Sequence, residues 1–373
     1  MVKLNIAFAA VALAFTAIII KLFYIQVLSP GTHQSQYLST RSIRPERGRI
    51  LDRNGEPLVV NQPAYLLYAE PKHIESRHTM IRDLDEILQM GPATLEGYLD
   101  DTKQWVAIKK NVDQDTKDKI ESLQLAGLGF EEGRMRYYPE ASLAAHIAGF
   151  VGRNAEDEEV GYFGIEGFYD KELSGLSGIL RSETDLLGRP IFVGVQERVN
   201  PENGRDLYLT IDKSVQLIIK KRLIAAMERY EAAEGCVVVA DPDSMQILGL
   251  TCLPDFDPTE YYNSSEDVFK NPAISNVYEP GSIFKPLIVA AGIEEKAIKP
   301  DERYDEDGPV QVGGYTIRTW NDEYGGRMSM SQILERSSNV GMVYIGSKLG
   351  DDAVYDYVTR LGFGQETGID LQG

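Results

Sequence analysis

Glu279-Pro280-Gly281-Ser282-Ile283-Phe284-Lys285 sets a serine and a lysine three residues apart behind a Pro-Gly turn. In a helix that starts at the turn, residues three apart emerge on one face. Ser282 then sits near the first helical position, beside unpaired amides and the positive end of the helix dipole. A serine hydroxyl is a poor nucleophile until a base takes its proton, and a lysine in dry surroundings can do so once its pKa falls. Ile283, Phe284, Leu287, Ile288 and Val289 are placed to supply those surroundings. Pro286 removes an amide hydrogen where first-turn donors lack intrahelical partners anyway. The amide of Ser282 is a candidate for half of an oxyanion hole. Alone, Ser-x-x-Lys equally describes a capping serine and a solvated lysine. It gains weight from Ser337-Ser338-Asn339, the single Ser-x-Asn of the chain. There Ser337 can relay a proton and Asn339 can bind a substrate amide; the plainer reading is a polar loop between helices.

Composition narrows the alternatives. The chain has 373 residues, is 43% hydrophobic and carries a formal charge of −19, enough for two cored domains and a short extra segment. The negative charge argues against a nucleic-acid or anionic-membrane partner. Acidic clusters such as Glu156-Asp157-Glu158-Glu159 and Asp305-Glu306-Asp307 read as solvated loops. The histidines His33, His73, His78 and His146 all lie in the N-terminal half, so a Ser-His-Asp triad cannot be built within the C-terminal half alone. Cys236 and Cys252 form no Cys-x-x-Cys pair, and no zinc site is expected.

The N-terminus reads as an uncleaved signal anchor rather than a cleaved leader. Ile6 to Ile20 is apolar apart from Thr16, and Leu22 to Leu28 continues that character beyond Lys21, which can snorkel toward the interface. Lys3 and the amino terminus would then lie in the cytoplasm and the acidic remainder outside. Beyond it, helices are expected at Asp83 to Met90, Thr94 to Leu99 and Thr116 to Leu125, and strands at Pro57 to Val60, Ala64 to Ala69 and Trp105 to Ile108. Asn200-Pro201-Glu202-Asn203-Gly204 is a turn cluster and a module boundary. After it come a strand at Asp206 to Ile211, an amphipathic helix at Lys213 to Tyr230, and a hairpin of Cys236 to Asp241 with Ile247 to Cys252. Ser282 to Ile293, Ser329 to Leu349 and Asp352 to Leu361 read as helices. The order is α+β, with no alternating βαβ signal. With the hairpin turn centred on Asp243 and Ser244, Cys236 lies opposite Thr251 and two free thiols are expected. A bulge of one residue would instead set Cys236 directly across from Cys252.

Further boxes carry a resemblance. Arg47-Gly48-Arg49-Ile50-Leu51-Asp52-Arg53-Asn54-Gly55 matches an R-G-x-I-x-D-R-N-G motif. Arg136-Tyr137-Tyr138-Pro139 with His146 to Gly152, and Gly164 to Asp170 with Leu173-Ser174-Gly175, match two more. Phe256-Asp257-Pro258, Asn271-Pro272-Ala273 and Thr367 to Leu371 also fit. In this order they resemble the class B penicillin-binding proteins, most of all the division-type peptidoglycan D,D-transpeptidases. The resemblance implies a single N-terminal transmembrane helix (1–28), an elongated non-catalytic pedestal (29–204) and a penicillin-binding transpeptidase domain (205–373). It also implies a single-pass protein of the bacterial cytoplasmic membrane with the bulk of the chain outside.

By the same resemblance Ser282 is the acylated nucleophile, Lys285 its base, Ser337 a proton relay and Asn339 a substrate contact, with no cofactor and no metal. Peptidoglycan stem peptides or their lipid-linked precursor are the implied substrates, β-lactams the implied inhibitors, and a membrane glycosyltransferase and division proteins the implied partners. The family's Lys-Ser/Thr-Gly strand does not occur, so the expectation is a catalytic domain incomplete at its C-terminus. The competing expectations are a catalytically silent scaffold of the division machinery, a β-lactamase or β-lactam sensor, and an elongation-type transpeptidase. The boxes at Arg47 and Gly164 speak against the second.

Overall fold

The computed structural model describes residues 2–28, 38–99, 103–183 and 196–372. An α-helix over Val2–Phe23 passes into a π-helical turn over Tyr24–Leu28. Its described apolar side chains, among them Phe8, Leu13 and Phe15, are exposed. Among the described residues no helix is long and apolar enough to cross a membrane. The Lys3 side chain lies outside them.

Two compact units follow from the contacts: residues 1–275 with 371–373, and residues 276–370. In the first, the two expected strand pieces are one strand, Pro57–Ala69. It pairs antiparallel with Ile50–Leu51, Val106–Val112 and Leu128–Tyr137, and Leu207–Tyr208 adds a parallel edge. Helices Arg77–Leu88, Pro92–Tyr98 and Gln114–Ser122 close one core over this sheet, through Met80, Leu84, Leu88, Leu95 and Ile120. Met80, Leu84 and Leu88 recur every four residues, which carries that helix back to Arg77, earlier than its expected start. It ends at Gln89, in left-handed backbone at φ 52°.

Three of the sequence boxes meet at one buried carboxylate. Glu166 has no exposed surface. It accepts from Arg47 Nε at 2.7 Å and Arg136 Nε at 2.6 Å. Arg47 also reaches Asp170 at 2.7 Å, and Arg136 Nη1 reaches Asn61 at 2.9 Å. Removing one partner of such a buried network strands the others, which typically costs about 3–5 kcal/mol. The turn Asn200–Gly204 lies within the first unit, where the Gly204 amide donates to Glu46 and Glu202 pairs with Leu176. Of the expected strand at 206–211, only Leu207–Tyr208 forms a ladder.

The amphipathic helix is present at its expected bounds, Lys213–Tyr230, with Asp212 capping the amides of Ser214 and Val215. It lies on the hairpin Gly235–Ala240 and Ile247–Leu253. A Cβ on Gly249 would come within 2.8 Å of Ile219 Cδ1, so glycine permits the close approach. Buried Gln216 donates to the carbonyls of Leu143 and Leu250 and accepts from the Leu250 amide.

The cysteine expectation is overturned here. The pairing shifts by one residue between Val239 and Ala240, so Cys236 faces Cys252 and Val237 faces Thr251. Cys236 and Cys252 are joined as a disulfide with an S–S distance of 2.07 Å. The physical cause is the turn. The Asp241 carboxylate accepts the amides of Asp243 and Ser244, and Met245 takes left-handed backbone at φ 58°. That wider loop is followed by a bulge that adds one residue to the second strand.

The second unit packs Val289, Ile298, Met328, Met330, Ile333 and Ile345 into its core. A one-turn 3-10 segment, Gly281–Phe284, leads into helix Lys285–Glu294. Strands Arg303–Glu306 and Gly326–Ser329 pair antiparallel, and between them in sequence Val310–Val312 with Tyr315–Ile317 form a hairpin. The single helix expected over 329–349 is two, Met330–Glu335 and Asn339–Leu349, and Asp351–Arg360 follows. A Cβ on Gly341 would lie 2.4 Å from Ile333 Cγ2, so glycine lets these two helices touch.

A thiol titration checks the corrected register. The denatured, unreduced protein should show no free thiol, and two free thiols would contradict the pairing. Opening the disulfide, which spans 16 residues of sequence, should lower stability by about 3 kcal/mol on the chain-entropy account, measured by urea unfolding of the Cys236→Ala/Cys252→Ala variant.

Candidate active site

Gly281 has φ +66°, a conformation that favours glycine, and it opens the 3-10 segment with Ser282 as the second residue. Ser282 is exposed. Its backbone N–H lies in a first turn, where donors lack intrahelical partners, and its carbonyl accepts the Lys285 amide. Lys285 opens the α-helix with Pro286 behind it at a position that tolerates proline. Val289 is buried, Phe284 is half-buried against Phe363 with ring centroids 5.2 Å apart, and Ile283 is exposed. The dry environment expected of the neighbours therefore comes from Phe284 and the inner helix face rather than from Ile283.

The half-buried Lys285 amine is the centre of the arrangement. Nζ donates to the Ser337 carbonyl at 2.6 Å, to Ser337 Oγ at 3.1 Å and to Asn339 Oδ1 at 2.7 Å. Two residues of one segment, 52 and 54 positions away in sequence, are so brought to the first turn of this helix. The Ser282 hydroxyl makes no hydrogen bond among the described residues, so the expected Ser282–Lys285 contact is not formed here. Burial lowers the Lys285 pKa from its ordinary value. Three oxygen acceptors suit an ammonium, which has three donors, whereas a neutral amine keeps two donors and one lone pair. On losing a proton the amine can hold the Ser337 carbonyl and Asn339 Oδ1 and turn its lone pair to a neighbouring hydroxyl.

The Ser337–Asn339 segment is neither mid-helix nor a free loop. It is the joint between two helices. Ser337 is in left-handed backbone at φ 55°, with its amide bonded to the Leu334 carbonyl. Ser338 caps the second helix, its Oγ accepting the Gly341 amide at 2.8 Å. Asn339 Nδ2 donates to the Arg318 carbonyl at 2.9 Å, which fixes Oδ1 toward Lys285. Sequence reasoning missed two members. Ser338 was passed over between its neighbours, yet it is 2% exposed. Composition places Glu306, with Asp305 and Asp307, in a solvated loop, yet it is 1% exposed. The cluster lies at the end of a strand whose burial alternates, and Glu306 falls on the inner side. The period of two over Arg303-Tyr304-Asp305-Glu306 was the available signal.

With this geometry in place, comparisons with known proteins match two domains along the chain. The family model for the penicillin-binding protein dimerisation domain matches residues 42–209, and that for the penicillin-binding protein transpeptidase domain matches residues 235–373. The chain belongs to the class B penicillin-binding proteins. It is 32% identical over 338 residues to stage V sporulation protein D of Bacillus subtilis, covering 88% of this chain and 51% of that one. It is 24% identical over 380 residues to the peptidoglycan D,D-transpeptidase FtsI of Escherichia coli, covering 97% and 62%. A peptidoglycan synthetase structure from Bifidobacterium adolescentis aligns with a TM-score of 0.63 at 28% identity, over 89% of this chain and 64% of that one. Penicillin-binding protein 2X from Streptococcus thermophilus shares the fold, with a TM-score of 0.64 at 22% identity over 87% and 52%. The chain spans between about half and two thirds of the length of these relatives.

Lys285 should titrate below an ordinary lysine. In protein carrying selectively 13C-labelled lysine, the Lys285 ε-carbon resonance, assigned through Lys285→Arg, reports this directly. A midpoint at or above that of the exposed lysines would contradict the burial argument.

Proposed function

We propose that the chain is part of a serine-type peptidoglycan D,D-transpeptidase that cross-links stem peptides during septal wall synthesis and is a target of β-lactams. The observation that carries this reading is the Lys285 amine held by Ser337 and Asn339 one helical turn from Ser282. In the proposed reaction neutral Lys285 takes the proton of Ser282 as Oγ attacks the carbonyl carbon of a D-Ala-D-Ala bond. The Ser282 amide receives part of the charge on the tetrahedral oxygen. Collapse breaks the peptide C–N bond, and the proton passes from Lys285, through the Ser337 hydroxyl, to the departing D-alanine amine. Asn339 orients the donor peptide's amide. An amine of a second stem peptide then attacks the acyl carbon, neutral Lys285 takes the proton that amine loses, and Lys285 returns it to Oγ as the ester C–O bond breaks.

The proposal extends to the organisation of the chain. Residues 1–28 anchor it in the cytoplasmic membrane of a bacterium, with the amino terminus inside. Residues 29–204 form the non-catalytic module and 205–373 belong to the catalytic one. The exposed apolar side chains described on the helix Val2–Phe23, among them Phe8, Leu13 and Phe15, support an anchor. The Cys236–Cys252 disulfide supports an oxidising, extracytoplasmic compartment. A membrane glycosyltransferase that supplies uncross-linked glycan, together with division proteins, is the proposed partner set.

The test uses the complete gene product with lipid-linked precursor and a glycosyltransferase. Cross-linked peptide and free D-alanine should appear together, Ser282→Ala should remove both, and Lys285→Ala should slow them by about 10²–10⁴-fold, as expected for loss of a general base. Cross-linking by the Ser282→Ala protein at the wild-type rate would refute the assignment.

A further inference from the structure

Beneath the Ser337–Asn339 joint lies a carboxylate that the reaction above does not use. Glu306 ends the strand Arg303–Glu306, paired with Gly326, and is 1% exposed. Among the described residues it pairs with no cation. Its Oε2 accepts the hydroxyl hydrogen of Ser338, and its Oε1 lies 3.4 Å from the amide of Gly325. A buried carboxyl with no counter-ion is costly. The nearby start of the eleven-residue helix Asn339–Leu349 offsets part of that cost, since its dipole favours negative charge there.

The arrangement has a mechanical consequence. The Ser338 hydroxyl has one hydrogen to give. With Glu306 taking it, an oxygen lone pair faces the Gly341 amide, and the cap is held in one rotamer. That rotamer fixes the residue between Ser337 and Asn339, the two residues whose oxygens hold Lys285. Ser337 is in left-handed backbone, a strained conformation for a non-glycine residue, which persists where its surroundings over-determine it. The Ser338 amide bond to the Ile333 carbonyl, the Asn339 bond to the Arg318 carbonyl and the Glu306 grip on Ser338 are those surroundings.

We propose that Glu306 is a positioning residue of this site, acting through the Ser338 hydroxyl to hold the Ser337–Asn339 joint around the Lys285 amine. The inference rests on the transpeptidase reading for its rate effect, but not for its geometric one.

The experiment uses the complete protein with fluorescent penicillin as the acylating probe, and follows the 13C resonance of the Lys285 ε-carbon in parallel. Glu306→Leu and Ser338→Ala should each slow acylation by about 10- to 100-fold, the scale of a small misplacement of catalytic groups. The double variant should be no slower than the slower single. Glu306→Gln keeps an oxygen for the Ser338 hydroxyl and should recover most of the loss. The Lys285 resonance should move in Glu306→Leu and in Ser338→Ala alike. Absence of labelling in the wild-type protein would sink the transpeptidase reading, and the resonance would still decide the relay. An unmoved resonance in both single variants overturns it, as does wild-type acylation by either folded variant or strictly additive losses in the double variant. If Glu306→Leu has no melting transition, Ser338→Ala decides by the same two measures.

Discussion

Everything in the second unit that bears on chemistry depends on three oxygens around one amine, the Ser337 carbonyl, Ser337 Oγ and Asn339 Oδ1 on Lys285 Nζ. Hydrogen bonds to a charged group are worth about 1.5–3 kcal/mol each, more than neutral ones. Burial works against them by disfavouring the charge. The site is therefore poised: the oxygens hold the amine in place while its surroundings make the proton easier to lose. Ser282 waits one helical turn away, its hydroxyl unengaged among the described residues.

That grip requires backbone devices that have no chemistry of their own. Gly281 turns the chain ahead of Ser282, and Gly341 lets helix Asn339–Leu349 approach Ile333. The break at Ser337 exposes a carbonyl that a continuous helix would have bonded internally. In the first unit the same economy appears around Glu166, where residues 119 and 30 positions away supply Arg47 and Arg136. Three sequence boxes there each contribute a member of one buried network, so these boxes are legible as motifs but their reason is tertiary.

Much of the fold was legible in the sequence because its signals are local. The helix Lys213–Tyr230 announces itself through its apolar spacing, and Gly281 before Ser282 is turn chemistry in plain view. Ser282, Lys285, Ser337 and Asn339 could be singled out because the Ser-x-x-Lys at Ser282 is followed by the single Ser-x-Asn of the chain. The hairpin register was not legible. It turns on a single bulge residue, decided by how the Asp241 carboxylate folds the loop onto itself, and one residue moves Cys236 from Thr251 to Cys252. Glu306 was hidden for a different reason. Within Asp305-Glu306-Asp307 composition says solvent, and only pairing with Gly326 turns the middle carboxylate inward. The break between Met330–Glu335 and Asn339–Leu349 was hidden because Val340, Met342 and Ile345 continue the apolar period across it.

The most direct measurement of the central claim is the position of a covalent β-lactam adduct in the complete protein, mapped by mass spectrometry of proteolytic peptides. The account predicts a single adduct whose mass equals the intact β-lactam, carried on the peptide containing Ser282. An adduct on any other serine, or a protein that remains unmodified at saturating β-lactam, would contradict it.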